Sequence, residues 1–165
     1  MRVSGSPGGT AAGQLPSYVV SIWAMLESSF LDGKVRKWSL PVVEGATGDY
    51  TLKRLLLPQG ELARIYDADE GIRFIAFIEL RAGTTRGNHF HKVKEEFVYV
   101  IQGALTLILE DIASKARDTA SLETGDLAFI PTGIAHALRP TRPGQAIEFS
   151  PVRFNPEDSY RFPLG

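Results

Sequence analysis

The chain has 165 residues, enough for one domain with a sizeable core and no need of disulfide staples. Its 44% hydrophobic and 22% charged residues are ordinary for a globular protein, and a net charge of −1 with no Lys or Arg run leaves no electrostatic footprint for nucleic acid. With no cysteine, disulfide scaffolds, thiolate metal sites and cysteine nucleophiles are excluded, and the composition is compatible with the expected cytoplasmic location.

Residues 1–17 are rich in Gly, Ser, Ala and Pro and offer nothing to bury, so they read as disordered. Met25 offers an alternative translation start, in which case residues 1–24 would lie outside the natural protein. The apolar run at 18–26 (YVVSIWAML) is too short to span a bilayer, and Glu27 follows it rather than a small-residue cleavage site. It reads as part of a short helix over 18–31 or as a disordered leader. Residues 1–49 are thus expected to form an N-terminal extension, 50–152 a β-barrel, and 153–165 a tail.

From residue 50 the pattern changes to short apolar segments: Thr51–Leu57, Glu61–Tyr66, Ile72–Leu80, Glu96–Ile101, Leu105–Asp111, Thr119–Leu122, Leu127–Ile130, Ala135–Leu138 and Ala146–Phe149. Turn residues separate them, among them Pro58-Gln59-Gly60, Gln102-Gly103, Pro131-Thr132-Gly133 and Arg142-Pro143-Gly144. Many short strands with Gly and Pro punctuation predict an all-β sandwich or barrel. The tail has lost this pattern and is expected to lie across the barrel or a partner subunit, anchored by Tyr160, Phe162 and Leu164.

The three histidines are His89, His91 and His136. His89 and His91 stand at i and i+2, which on a strand points both imidazoles to one face. Glu96 follows His91 at an odd offset, so a turn or bulge within residues 92–95 is required to bring it to the same side. Three imidazoles and a carboxylate form a nitrogen and oxygen donor set suited to one divalent ion such as Fe, Mn, Zn, Ni or Co, with positions left for substrate. Lys92, Lys94 and Glu95 read as a solvated turn. If Glu96 faces inward, Val98 and Val100 do too, while Phe97, Tyr99 and Ile101 face outward. Arg73, Glu79, Arg81, Asn88 and Glu148 are polar residues in or beside strands. Any that point into the barrel would mark a substrate pocket. Asn88 and Glu148 are the candidates for catalysis, Asn88 because it adjoins His89.

Residues 83–103, GTTRGNHFHKVKEEFVYVIQG, resemble the first motif of the cupin superfamily through Gly83, His89, His91, Glu96 and Gly103. Residues 125–136, GDLAFIPTGIAH, resemble its second motif through Gly125, Pro131, Gly133 and His136. The resemblance implies a jelly-roll β-barrel whose interior holds metal and substrate, and its spacing selects Glu96 over Glu95 as ligand. Pro140 stands where many members carry an asparagine. Arg86–His91 and Phe154–Asp158 also look similar to sugar-modifying cupins of nucleotide-sugar and capsular-polysaccharide pathways. The nucleotide-sugar ketoisomerases commonly lack the glutamate, so Glu96 points toward a metal-bound form. By analogy with the fold, a homodimer is expected, with residues 32–60 and the tail as interface candidates.

The expected activity is a metal-dependent isomerisation or epimerisation of a small oxygen-rich metabolite, the ion acting as Lewis acid on a carbonyl. The same ligands suit an Fe(II) dioxygenase, and a non-catalytic small-ligand cupin is the reading from a different class. Neither a phosphate-binding glycine loop nor a G-x-S-x-G elbow is present.

Overall fold

The computed structural model describes residues 26–44 and 51–165. Its strands are β1 (Leu26–Phe30), β2 (Val35–Ser39), β3 (Val42–Glu44), β4 (Lys53–Leu57), β5 (Gly60–Arg64), β6 (Phe74–Leu80), β7 (Arg86–Phe90), β8 (Glu96–Asp111), β9 (Arg117–Glu123), β10 (Asp126–Ile130), β11 (Ile134–Ser150) and β12 (Tyr160–Arg161). Among the described residues one 3₁₀ turn, Pro156–Asp158, interrupts them, and no helix is long and apolar enough to cross a membrane.

The expected helix over 18–31 is overturned where it can be seen: residues 26–30 form a strand, and 18–25 lie outside the described residues. The cause is the turn that follows. Leu31, Asp32 and Gly33 all take left-handed φ, so the chain folds back and β1 pairs antiparallel with β2, Phe30 opposite Val35. β2 in turn pairs with β10, Trp38 opposite Leu127, so the main sheet begins well before residue 50.

β8 and β11 organise the barrel. The first half of β8 lies between β10 and the second half of β11, with β6 on the far edge; the second half of β8 lies between β9 and the first half of β11, followed by β7 and β12. Each long strand therefore serves both walls. The Gly and Pro clusters at Gln102-Gly103 and Arg142–Gly144 are corners within these strands rather than ends of them, marked by shifts in register between Pro140 and Ala146. At the corner the backbones nearly touch: a Cβ on Gly144 would sit 1.9 Å from the carbonyl oxygen of Gln102, so no other residue fits without moving backbone.

Alternation along β8 separates two cores. Val98, Val100, Leu105, Leu107 and Leu109 join Leu122, Ala128, Ile130 and Leu138 inside the barrel. On the outer face, Phe97 and Tyr99 pack with Trp38, Leu127, Phe129 and Phe149, beneath Leu52, Ala63 and Tyr66 from the small β3-β4-β5 sheet and the residues after it.

Candidate metal centre

β7 and β11 place the histidines. A register shift falls between His136 and Ala137, where Gly87 and Asn88 take left-handed φ and bulge β7 against β11. The bulge needs glycine at 87, because a Cβ there would lie 2.8 Å from the carbonyl oxygen of His136. It sets His89 opposite His136, with ring centres 4.8 Å apart, and His91 the same distance from His89. The chain leaves β7 after Phe90, bends through residues 91–95 and enters β8 at Glu96, which brings the carboxylate to the same group.

Donor atoms of His89, His91, Glu96 and His136 all lie within 4.8 Å of one another. His91, Glu96 and His136 are buried. His136 Nε2 is 2.7 Å from Glu96 Oε2 and His91 Nε2 is 3.3 Å from Glu96 Oε1. The second ring nitrogens are committed elsewhere: His91 Nδ1–H donates to the Asp158 carbonyl at 2.5 Å, and His136 Nδ1–H to the Ile134 carbonyl at 3.0 Å. A carbonyl only accepts, so each Nδ1 carries the proton and each Nε2 is directed into the cluster. His91 Nε2 is buried and makes no hydrogen bond, although it lies 3.3 Å from Glu96 Oε1. A buried ring nitrogen that makes no hydrogen bond, beside a carboxylate and two further imidazoles, fits a cation, and the donor set fits a first-row divalent ion.

Protonation follows from burial and neighbours. Desolvation and the charge on His136 push His89 down to about 4, so it is a neutral donor at pH 7. Desolvation opposes charge on His136, but the Glu96 carboxylate outweighs it and raises the imidazole. Burial likewise opposes ionisation of Glu96, yet His136 and the surrounding hydrogen bonds hold it well below the usual carboxylate range. Glu148 goes the other way, raised by burial and by the Glu96 charge.

The sequence-selected residues separate clearly. His89, His91, Glu96 and His136 come together, Glu148 stands beside them, and Glu95 is outside the donor group. Asn88 points the other way: its Oδ1 accepts from Leu164 N–H at 3.1 Å and its carbonyl from Phe162 N–H at 2.7 Å, so it holds the tail. Arg73, Glu79 and Arg81 are exposed. The reading of Lys94 as solvated is overturned. It is 4% exposed, its Nζ donates to Glu96 Oε1 and to Glu148 Oε1, and it lies over the Phe74 ring. Lys94 precedes the strand that begins at Glu96, so parity gives no signal for it; its partners Glu148 and Phe74 come from other strands. Asp158 was missed as well. Its carboxylate accepts from the backbone N–H groups of Lys92, Val93 and Lys94 and so fastens the bend between His91 and Glu96. Around it, Tyr160 stacks on Phe90, Phe162 meets the same ring edge-on, and Leu164 is buried against Ala135 and Ala137.

Residues 76–149, the stretch that carries the histidine and glutamate cluster, match the family model of the cupin domain. No curated protein matches the chain. Among solved structures, a 3,4-ketoisomerase from Helicobacter canadensis is 17% identical, with a TM-score of 0.59 over 67% of this chain and 86% of that one. A dTDP-6-deoxy-D-glucose-3,5-epimerase from Legionella pneumophila, in complex with dTDP-4-keto-L-rhamnose, is 15% identical, with a TM-score of 0.64 over 86% and 85%. The capsular polysaccharide assembling protein CapF from Staphylococcus aureus is 18% identical, with a TM-score of 0.53 over 70% of this chain and 34% of that one. At these identities the likeness is one of fold.

Proposed function

We propose that this cupin is a metal-dependent isomerase or epimerase acting on a small oxygen-rich metabolite, with a nucleotide-linked keto sugar as the substrate class. The observation that carries the metal is the buried His91 Nε2, which makes no hydrogen bond, in a group whose donor atoms from His89, His91, Glu96 and His136 lie within 4.8 Å of one another. The substrate class rests on the activities named for the solved structures that share the fold. When bound, a divalent ion supplies Lewis-acid polarisation of a carbonyl.

The chain's own residues do the rest. His91 and His136 are held in one tautomer by backbone carbonyls, so they are preorganised as donors. Glu148, whose side chain is 23% exposed, is reachable from outside the barrel and has a raised proton affinity, which suits it to move a proton at the carbon beside a carbonyl. Phe74, stacked on the exposed Phe154, adds an apolar wall beside Lys94. The protein is read as a cytoplasmic homodimer. Support for the dimer comes from β6, which pairs only with β11 among the described strands and leaves Ile75 and Phe77 each 63% exposed.

The test is incubation of the metal-supplemented protein with a dTDP-linked 4-keto sugar in deuterated water. Deuterium is expected at carbon beside the carbonyl, and Glu148→Gln should abolish its incorporation at a metal concentration that keeps the site filled. Oxygen consumption with iron and no deuterium incorporation would replace the isomerase with the dioxygenase.

A further inference from the structure

Lys94 is the one ammonium placed against the donor cluster among the described residues, and the fold goes to some length to keep it there. Its backbone N–H is held by Asp158 Oδ2 at 2.8 Å, within the same carboxylate clasp that fixes Lys92 and Val93. Its Nζ donates to Glu96 Oε1, donates to Glu148 Oε1 at 2.6 Å, and lies 4.3 Å from the centre of the Phe74 ring. Two carboxylates and an aromatic face therefore enclose a charge that is almost wholly removed from water.

Glu96 is the anionic ligand of the cluster, and its two oxygens are already engaged. Oε2 faces His136 Nε2 and Oε1 faces Lys94. A divalent ion drawn to Glu96 meets this ammonium in two ways. It competes for lone pairs on Oε1, and it is repelled by a like charge inside a poorly screened pocket. The carboxylates of Glu96 and Glu148 attract the ion, and Lys94 cancels one of those two charges.

We propose that Lys94 is a positioning residue that acts as a built-in counter-cation, fixing Glu96 in place while lowering the affinity of the site for divalent ions. This inference rests on the metal-centre reading above. With Lys94 present the cluster holds a weakly bound, exchangeable ion. Without its charge the two carboxylates act undiminished, and the same ligands bind far more tightly.

The experiment is calorimetric titration of Zn(II) or Mn(II) into the full chain, native and variant, with thermal melts to confirm folding. Lys94→Met keeps the length of the side chain and removes the charge. It is expected to bind roughly 10- to 100-fold more tightly than native protein. Lys94→Arg, which retains the charge, should stay within about threefold of native. Glu148→Gln removes an attractive charge while leaving the four ligands intact, and should bind more weakly. That variant keeps the proposal testable if Lys94→Met does not fold.

Native affinity that is unchanged or lost in Lys94→Met would overturn the proposal and make Lys94 only a support for Glu96. Glu148→Gln binding as tightly as native, or more tightly, would overturn it too. Binding by Lys94→Met but not by native protein would support the counter-cation and defeat the metal-dependent function. No binding by either would defeat both.

Discussion

The carbonyl of Asp158, in the C-terminal tail, accepts the Nδ1–H of His91 at 2.5 Å, and the carboxylate of the same residue holds the backbone of the bend that leads to Glu96. One tail residue thus sets the tautomer of His91 and the approach of Glu96. Ligand orientation from such outer partners matters nearly as much as the ligands themselves.

Asp158→Ala leaves the carbonyl and removes the carboxylate, so three backbone N–H groups lose their acceptor. The expected cost is about 2 kcal/mol in stability, and metal affinity should fall on the order of 10-fold as the bend loosens. Thermal denaturation and metal titration of the variant measure both. A fall in stability with native affinity would show that the bend holds Glu96 without help from the tail.

Asn88 is assigned to the tail by its hydrogen bonds and to the bulge by its φ of 58°. Asn88→Ala should cost about 2 kcal/mol, combining a left-handed alanine with the lost bond to Leu164 N–H. Asn88→Gly should recover the backbone part. Turnover in both variants is expected to match native protein at temperatures where they are folded. A loss of turnover without a loss of stability would return Asn88 to the reaction.

His89 has a pH signature. Its imidazole is pushed down to about 4 in the folded chain from the ordinary 6.5, so between these values the unfolded state holds more protons. The stability this contributes is complete above the unfolded value and is lost as pH falls toward about 4. Because the ring is partly exposed, solvent screening reduces the effect to about 1 kcal/mol. Metal-free His89→Gln should lose less stability than native protein over that interval in denaturant titrations. A ring titrating near 6.5 by NMR would contradict the burial and charge argument.

The barrel and the grouping of the four candidate donors were legible because both obey parity. The i and i+2 histidines, the apolar alternation through Val98 and Val100, and the need for a bend before Glu96 all follow from a two-residue repeat. What parity could not reveal was tertiary. Lys94 sits in a polar, Lys-rich stretch that resembles a surface turn, and only Glu148 from β11 and Phe74 from β6 make it a buried charge. Asn88 adjoins a ligand in sequence but faces a tail that packs from the far end of the chain. The segment 26–30 lacks a clear strand pattern and becomes one because the left-handed turn at Leu31–Gly33 delivers it to β2. Strand ends were misread at the two barrel corners, where glycine and proline bend β8 and β11 without ending them.

The central claim is that three histidines and Glu96 hold one divalent ion. Its most direct test is equilibrium dialysis of the native protein and His136→Ala against a divalent metal, followed by elemental analysis. One equivalent bound by native protein and none by the variant is the predicted result. Metal absent from both, or equal in both, would contradict it.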